Sequence, residues 1–162
     1  ELYLSLLQKY LASNLLTKCE SIAKTSKQRV SNVIKRSADE GLNEIDTADE
    51  IASLGKVSIA RAALIARTET FAAMNYSQLE SAKYYSDTLE VKTTKKWVAI
   101  NDNRVRESHL EMNDEPEIDL NDQFKVIDPK GNAWPCDAPH DESLPAGEVI
   151  NCRCKLIFRN EI

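Results

Sequence analysis

Residues 59–100 read IARAALIARTETFAAMNYSQLESAKYYSDTLEVKTTKKWVAI, and the change of texture along them decides the fold class. From Ile59 to Ala73 the stretch is rich in alanine and contains neither glycine nor proline. The spacing predicts a long helix, capped by Ser58 and running toward Tyr85. After Asp87 the pattern switches. Leu89-Glu90-Val91 and Lys95-Lys96-Trp97-Val98-Ala99-Ile100 have the β-branched and aromatic content of strands, and Asn101-Asp102-Asn103 breaks the second run.

Upstream, the chain reads as helix. Leu4, Leu7, Leu11 and Leu15 recur at three- and four-residue spacing, with Ile22 continuing one apolar stripe. A second amphipathic stretch holds Val30, Val33 and Ile34, and Gly41 suits its C-cap. Asp46-Thr47-Ala48-Asp49-Glu50 offers an N-cap with acids in the first turn, and Gly55 closes that short helix. Downstream, Arg104 to Leu110 suits a helical turn and Phe124-Lys125-Val126-Ile127 alternates like a half-buried strand. Asp128-Pro129-Lys130-Gly131 is a turn signal, and Pro135–Gly147, with three prolines, reads as an ordered irregular loop. Asn151 to Phe158 alternates as a final strand, with Cys152, Cys154, Leu156 and Phe158 on one face. Helices followed by strands predict an α+β fold, long N-terminal helices packed on a small, mostly antiparallel C-terminal sheet. The division expected is a helical extension over 1–57 and a helix-plus-sheet domain over 58–162. There is no internal repeat and no low-complexity tract.

Hydrophobic residues make up 42% and charged residues 29% of the 162, which fits a soluble globular protein able to bury a core. No charged-then-apolar leader and no run of about 18 apolar residues is present, so the expectation is an intracellular protein without membrane contact. A start at Glu1 rather than Met suggests an excised or processed chain. The net charge of −5 is uneven, since residues 1–85 hold 11 Lys/Arg against 10 Asp/Glu and residues 86–162 hold 10 against 16. Seven acids with no Lys or Arg lie between Glu107 and Asp122, a surface that repels a phosphate backbone. The Lys92–Lys96 cluster reads as a solvated strand flank.

Of four cysteines, Cys19 lies in a helical pattern and suits a small buried hydrophobe, while Cys136, Cys152 and Cys154 gather in the last 27 residues. Without a secretory signal, a disulfide framework is disfavoured. Strand alternation puts the Cys152 and Cys154 thiols on one face about 7 Å apart. That distance is long for a disulfide but within reach of zinc, with Cys136 and either His109 or His140 completing four ligands. The competing reading is a reduced, apolar pair of core thiols, with Asn151 and Arg153 bracing the Pro135–Gly147 loop. Trp97, Trp134 and Phe124 are expected in the core.

Four stretches, in order, resemble the phage Mu F-like head-morphogenesis family. The first is Arg61-Ala62-Ala63-Leu64-Ile65-Ala66-Arg67-Thr68-Glu69-Thr70. The second is Lys96-Trp97 followed by Asp102, Arg104, Arg106 and His109. Phe124 with Val126 is the third, and Pro139-His140-Asp141 followed by Asn151-Cys152-Arg153-Cys154 the fourth. Together they span residues 58–158. His140 stands where the family usually has glycine, Cys136 belongs to no family motif, and the second cysteine pair of some relatives is absent. The resemblance implies a minor capsid protein of a bacteriophage or prophage, located in the virion head or the bacterial host cytoplasm. Such proteins bind the portal protein and other head proteins, assist head assembly, and contact and travel with the DNA. The long N-terminal helices are the natural portal-binding surface.

An enzymatic reading competes with the structural one. His109, with Arg104, Arg106, Glu69 and Arg153, has the ingredients of a small nuclease: a histidine and a carboxylate for proton transfer, and cations for developing phosphate charge. Arg67 and Glu69 resemble the Arg and Glu of ADP-ribosyltransferases, although no Ser-Thr-Ser strand or Glu-x-Glu loop accompanies them. Against this stands a structural network, in which Arg61, Arg67 and Glu69 form buried ion pairs with the β region. Arg67 and Glu69, two residues apart, cannot pair with each other within a helix.

Overall fold

A computed structural model describes residues 2–18, 24–54 and 59–161. It contains α1 (Leu2–Lys18), α2 (Lys24–Glu40), α3 (Glu44–Ser53), α4 (Ile59–Leu89), β1 (Thr93–Val98), α5 (Glu107–Glu111), β2 (Ile118–Asp119), β3 (Phe124–Ile127), β4 (Ala133–Cys136), α6 (Ala146–Val149) and β5 (Lys155–Asn160). The α+β architecture is as expected. Strands β2, β1 and β5 form one antiparallel sheet with β1 in the middle, and β3 and β4 form a separate hairpin.

Two cores share α4. Tyr10 of α1, Val30, Val33 and Ile34 of α2, and Ala48 and Ile51 of α3 pack on Ala62, Ala66, Ala72 and Ala73 of α4. Alanine on that face lets neighbouring helices approach closely. Further along α4, Leu79 enters a second core with Trp97, Phe124, Val126, Cys136, Cys152, Cys154 and Leu156. Trp97 and Phe124 meet edge to face at 5.7 Å, while Trp134 packs half-buried against this second core.

Several local expectations hold. Gly41 ends α2 with φ +69° while Leu42 N–H bonds Ser37 C=O at 2.9 Å, the 6→1 bond of a Schellman motif. β3 alternates buried and exposed residues, and the Asp128–Gly131 turn closes with Gly131 N–H on Asp128 C=O at 2.8 Å. Others need correction. α3 is capped by Asn43, whose Oδ1 accepts the N–H groups of Ile45 and Asp46, so Asp46 sits inside the helix instead of starting it. α4 continues past Tyr85 to Leu89, and Glu90 with φ +52° ends it, so Leu89–Val91 is a helix end and not a strand. Pro135 and Cys136 belong to β4, and Ala146 and Gly147 open α6.

Lys95 is 1% exposed rather than solvated. Strand alternation sends Thr93, Lys95 and Trp97 to the same buried face of β1, where Lys95 Nζ donates to Asp137 C=O at 2.9 Å and sits 5.3 Å over Phe124. Desolvation lowers its pKa. On α1, Leu4 is 50% exposed and Leu7 packs half-buried on the helical core, so Tyr10, not Leu4, leads the buried face. The side chains of Leu11, Leu15, Cys19 and Ile22, and the expected caps at Gly55 and Ser58, lie outside the described residues. Among the described residues, no helix is long and apolar enough to cross a membrane.

Candidate functional site

The motifs converge on residues 150–154. On α4, Thr68, Ala72, Asn75 and Leu79 recur at helical spacing and share one face. Thr68 Oγ1 donates to Leu64 C=O at 2.8 Å and accepts the Asn151 N–H at 2.9 Å. Arg67 Nη1 donates to Asn151 Oδ1 at 2.7 Å, and Nη2 reaches Glu44 Oε1 at 3.0 Å, so one guanidinium ties α3, α4 and this turn together. Asn151 has φ +62°, a left-handed conformation that asparagine tolerates better than most residues.

After Asn151 the chain alternates between two anchorages. Arg153 turns outward to Asp102 in a bidentate pair, with both N–O distances 2.8 Å. Arg153 and the Arg104 N–H hold the Asp102 carboxyl at about 2. Cys152 and Cys154 turn inward, each 2% exposed. Their carbonyls are held too. Asn75 Nδ2 donates to Cys154 C=O at 3.0 Å and its Oδ1 accepts Leu156 N–H at 3.1 Å. His140 Nε2 lies 3.1 Å from Cys152 C=O and Nδ1 3.3 Å from Asn75 Nδ2. Because the amide donates to Nδ1, the ring proton belongs on Nε2, where it bonds the carbonyl. His140 has φ +69°, a left-handed conformation that glycine adopts without steric cost.

These anchorages alter the expected cysteine geometry. β5 starts at Lys155, so the two cysteines precede the strand, and Asn151 and Arg153 brace α4 and Asp102 instead of the Pro135–Gly147 loop. The Cys154 N–H points at Cys152 Sγ at 3.3 Å, and His109 Nδ1 lies 3.5 Å from Cys152 Sγ and 3.3 Å from Cys154 Sγ. All three ligand atoms fall within 4.8 Å of one another, closer than the 7 Å of strand alternation. Cys154 donating to Cys152, with His109 and His140 adding to the effect, holds the Cys152 thiol low and drives that of Cys154 up. Cys136 is elsewhere: it lies in β4, and burial pushes its thiol up to about 12.

α5 sets His109 in the core at 1% exposure, edge-on to Trp97 at 5.3 Å. Its Nε2 is 3.0 Å from Glu148 Oε2, an electrostatic contact whose angle falls outside hydrogen-bond geometry. Glu148, itself 5% exposed, accepts the Ser108 hydroxyl at 2.8 Å. A small cleft beside the thiols is lined by Arg104, Val105 and Arg106, and Arg106 donates to Ile150 C=O. The carboxylate at His109 is therefore Glu148, while Glu69, buried in α4, lines a different pocket with Asp141 and Leu144. Arg67 is engaged by Glu44 and Asn151, and Arg61 sits on the exposed side of α4. Pro139 is fully buried, and Asp141 accepts the N–H groups of Asp137 and Ser143.

Residues 28–157 match the family model described as Phage Mu protein F like protein. The chain belongs to that family. Membership makes it a head-related bacteriophage protein. The Mu F-like match begins within α2 and takes in the rest of that helix and α3, upstream of residue 58. No curated protein and no solved structure matches the chain.

In this Mu F-like chain, three site residues had escaped sequence reasoning. Asn75 carried a signal, as a carboxamide seven residues after Thr68 on an alanine face. Ser108 and Glu148 carried none, because their pairing spans 40 residues.

Proposed function

We propose that this Mu F-like protein is a minor head protein that associates with the portal vertex, assists head morphogenesis and travels with the DNA. Family membership across residues 28–157 carries the reading. Its chemistry supports it. The family's motif residues spend their hydrogen bonds on one another, with Arg67 and Thr68 on Asn151 and Asp102 on Arg153, an arrangement that serves a rigid scaffold. The surface offers apolar contacts to a partner at Tyr3 and Leu4 on α1 and at Tyr84, Tyr85 and Leu89 near the end of α4.

The test is light scattering behind size-exclusion chromatography, with and without the portal protein encoded in the same genome. Co-elution with the portal ring, weakened by Leu4→Asp and untouched by Lys130→Ala on the β3–β4 turn, is the expected result. Separate elution of the full chain and the portal would remove the portal from the reading. Leu7 is the wrong probe, since it packs on the chain's own core.

A further inference from the structure

The geometry points to a zinc site built from His109 Nδ1, Cys152 Sγ and Cys154 Sγ, with its fourth position open to solvent in the cleft beside Arg104 and Arg106. Tetrahedral zinc, with bonds of roughly 2.0–2.1 Å to nitrogen and 2.3 Å to sulfur, separates N and S ligands by roughly 3.5 Å. The two N–S distances here are 3.5 and 3.3 Å, so both N–S edges of such a tetrahedron are already near their length, with the two sulfurs within 4.8 Å of each other. Among the described residues, these three form the cluster with metal-binding spacing, and all are buried.

The surroundings suit an ion. Two thiolates balance the charge of one Zn²⁺, and thiolate with imidazole is a donor set that selects zinc over magnesium or calcium. Binding through Nδ1 leaves Nε2–H facing Glu148 at 3.0 Å, and Ser108 holds that carboxylate. A carboxylate beside the imidazole nitrogen opposite the metal is the partner that orients a metal-binding histidine. Trp97, fully buried, closes the inner side of the cluster with its ring edge-on to His109 at 5.3 Å. The adjoining cleft has a free volume of about 10 Å³, room for a single water molecule on the fourth position. Such an ion would bind α5 to the start of β5 across 43 and 45 residues of chain. Cys136 and His140 are not ligands: the first lies in β4, and the second has both ring nitrogens committed to Asn75 and Cys152 C=O.

The experiment measures metal content of the full chain, purified without a metal-affinity tag, by elemental analysis and native mass spectrometry. One zinc per chain is expected, lost in Cys154→Ser and His109→Asn and retained in Cys136→Ser. Because the first two variants risk misfolding, the zinc-stripped wild-type chain is also titrated with Co²⁺. A thiolate-to-cobalt charge-transfer band with tetrahedral visible bands supports the site. Glu148→Gln should keep the stoichiometry and weaken affinity about 10- to 100-fold. A wild-type chain that lacks zinc and gives no cobalt spectrum overturns the proposal. So does a Cys152–Cys154 disulfide, seen as a mass two hydrogens lighter, or equal loss of zinc in Cys136→Ser.

Discussion

The Thr68 hydroxyl accepts the backbone N–H of Asn151 at 2.9 Å, joining two motifs 83 residues apart. That single oxygen fixes where the chain turns into the cysteine segment. Thr68→Val keeps the shape and removes the acceptor, leaving a part-buried N–H without its bond. The expected loss is about 1–2 kcal/mol in urea unfolding. An unchanged midpoint would mean that the turn is held by Arg67 alone.

Asn75 carries more. Replacing it with Leu strands Cys154 C=O and Leu156 N–H inside the second core. Two such groups together cost about 2–6 kcal/mol. Hydrogen exchange at the Leu156 amide should rise in step with the lower melting temperature. A loss of stability without faster exchange there would point to lost packing instead.

Acid should act through Asp102. Arg153 holds its carboxyl at about 2, below the value near 3.8 of an unperturbed Asp. A depressed carboxyl stabilises the fold above its unfolded pKa, and the contribution drains away as pH falls through the folded one. Asp102→Asn should therefore be less stable than wild type near pH 6, and the gap should narrow between about pH 4 and pH 2. A gap that stays constant down to pH 2 would assign the loss to something other than this ion pair.

Base should act through Cys136. Burial raises its thiol from 9.0 to about 12, so the unfolded chain ionises first. Its stabilising share is intact below about pH 9 and is lost as pH climbs toward 12. The unfolding midpoint of wild type should fall over that range more steeply than that of Cys136→Val. Parallel curves would mean that the thiol does not titrate with unfolding.

Local chemistry was legible in the sequence where one short segment decides it. Gly41, the Asp128–Gly131 turn and the alternation of Phe124 to Ile127 depend on neighbours a few residues away. The misread segments were decided from afar. Cys152 and Cys154 alternate like strand residues, but Asn75, Thr68 and Arg67 reach over from α4 and hold that stretch in a turn. Lys95 reads as a surface charge until its strand register is known, because only the partner strand settles which face is buried. For the site, His109 and the two cysteines stood out by residue type. Glu148 did not, since nothing in Ala146-Gly147-Glu148-Val149 shows that the helix turn faces a histidine 39 residues earlier.

At 31 residues, α4 is about 46 Å long. It is mortared into two walls, the alanine face among α1, α2 and α3 and the Leu79 end among the strands. Thr68, within the alanine stretch, and Asn75, between it and Leu79, each grip the cysteine segment. One continuous helix therefore joins the N-terminal helical core to the side chains that hold residues 151–156.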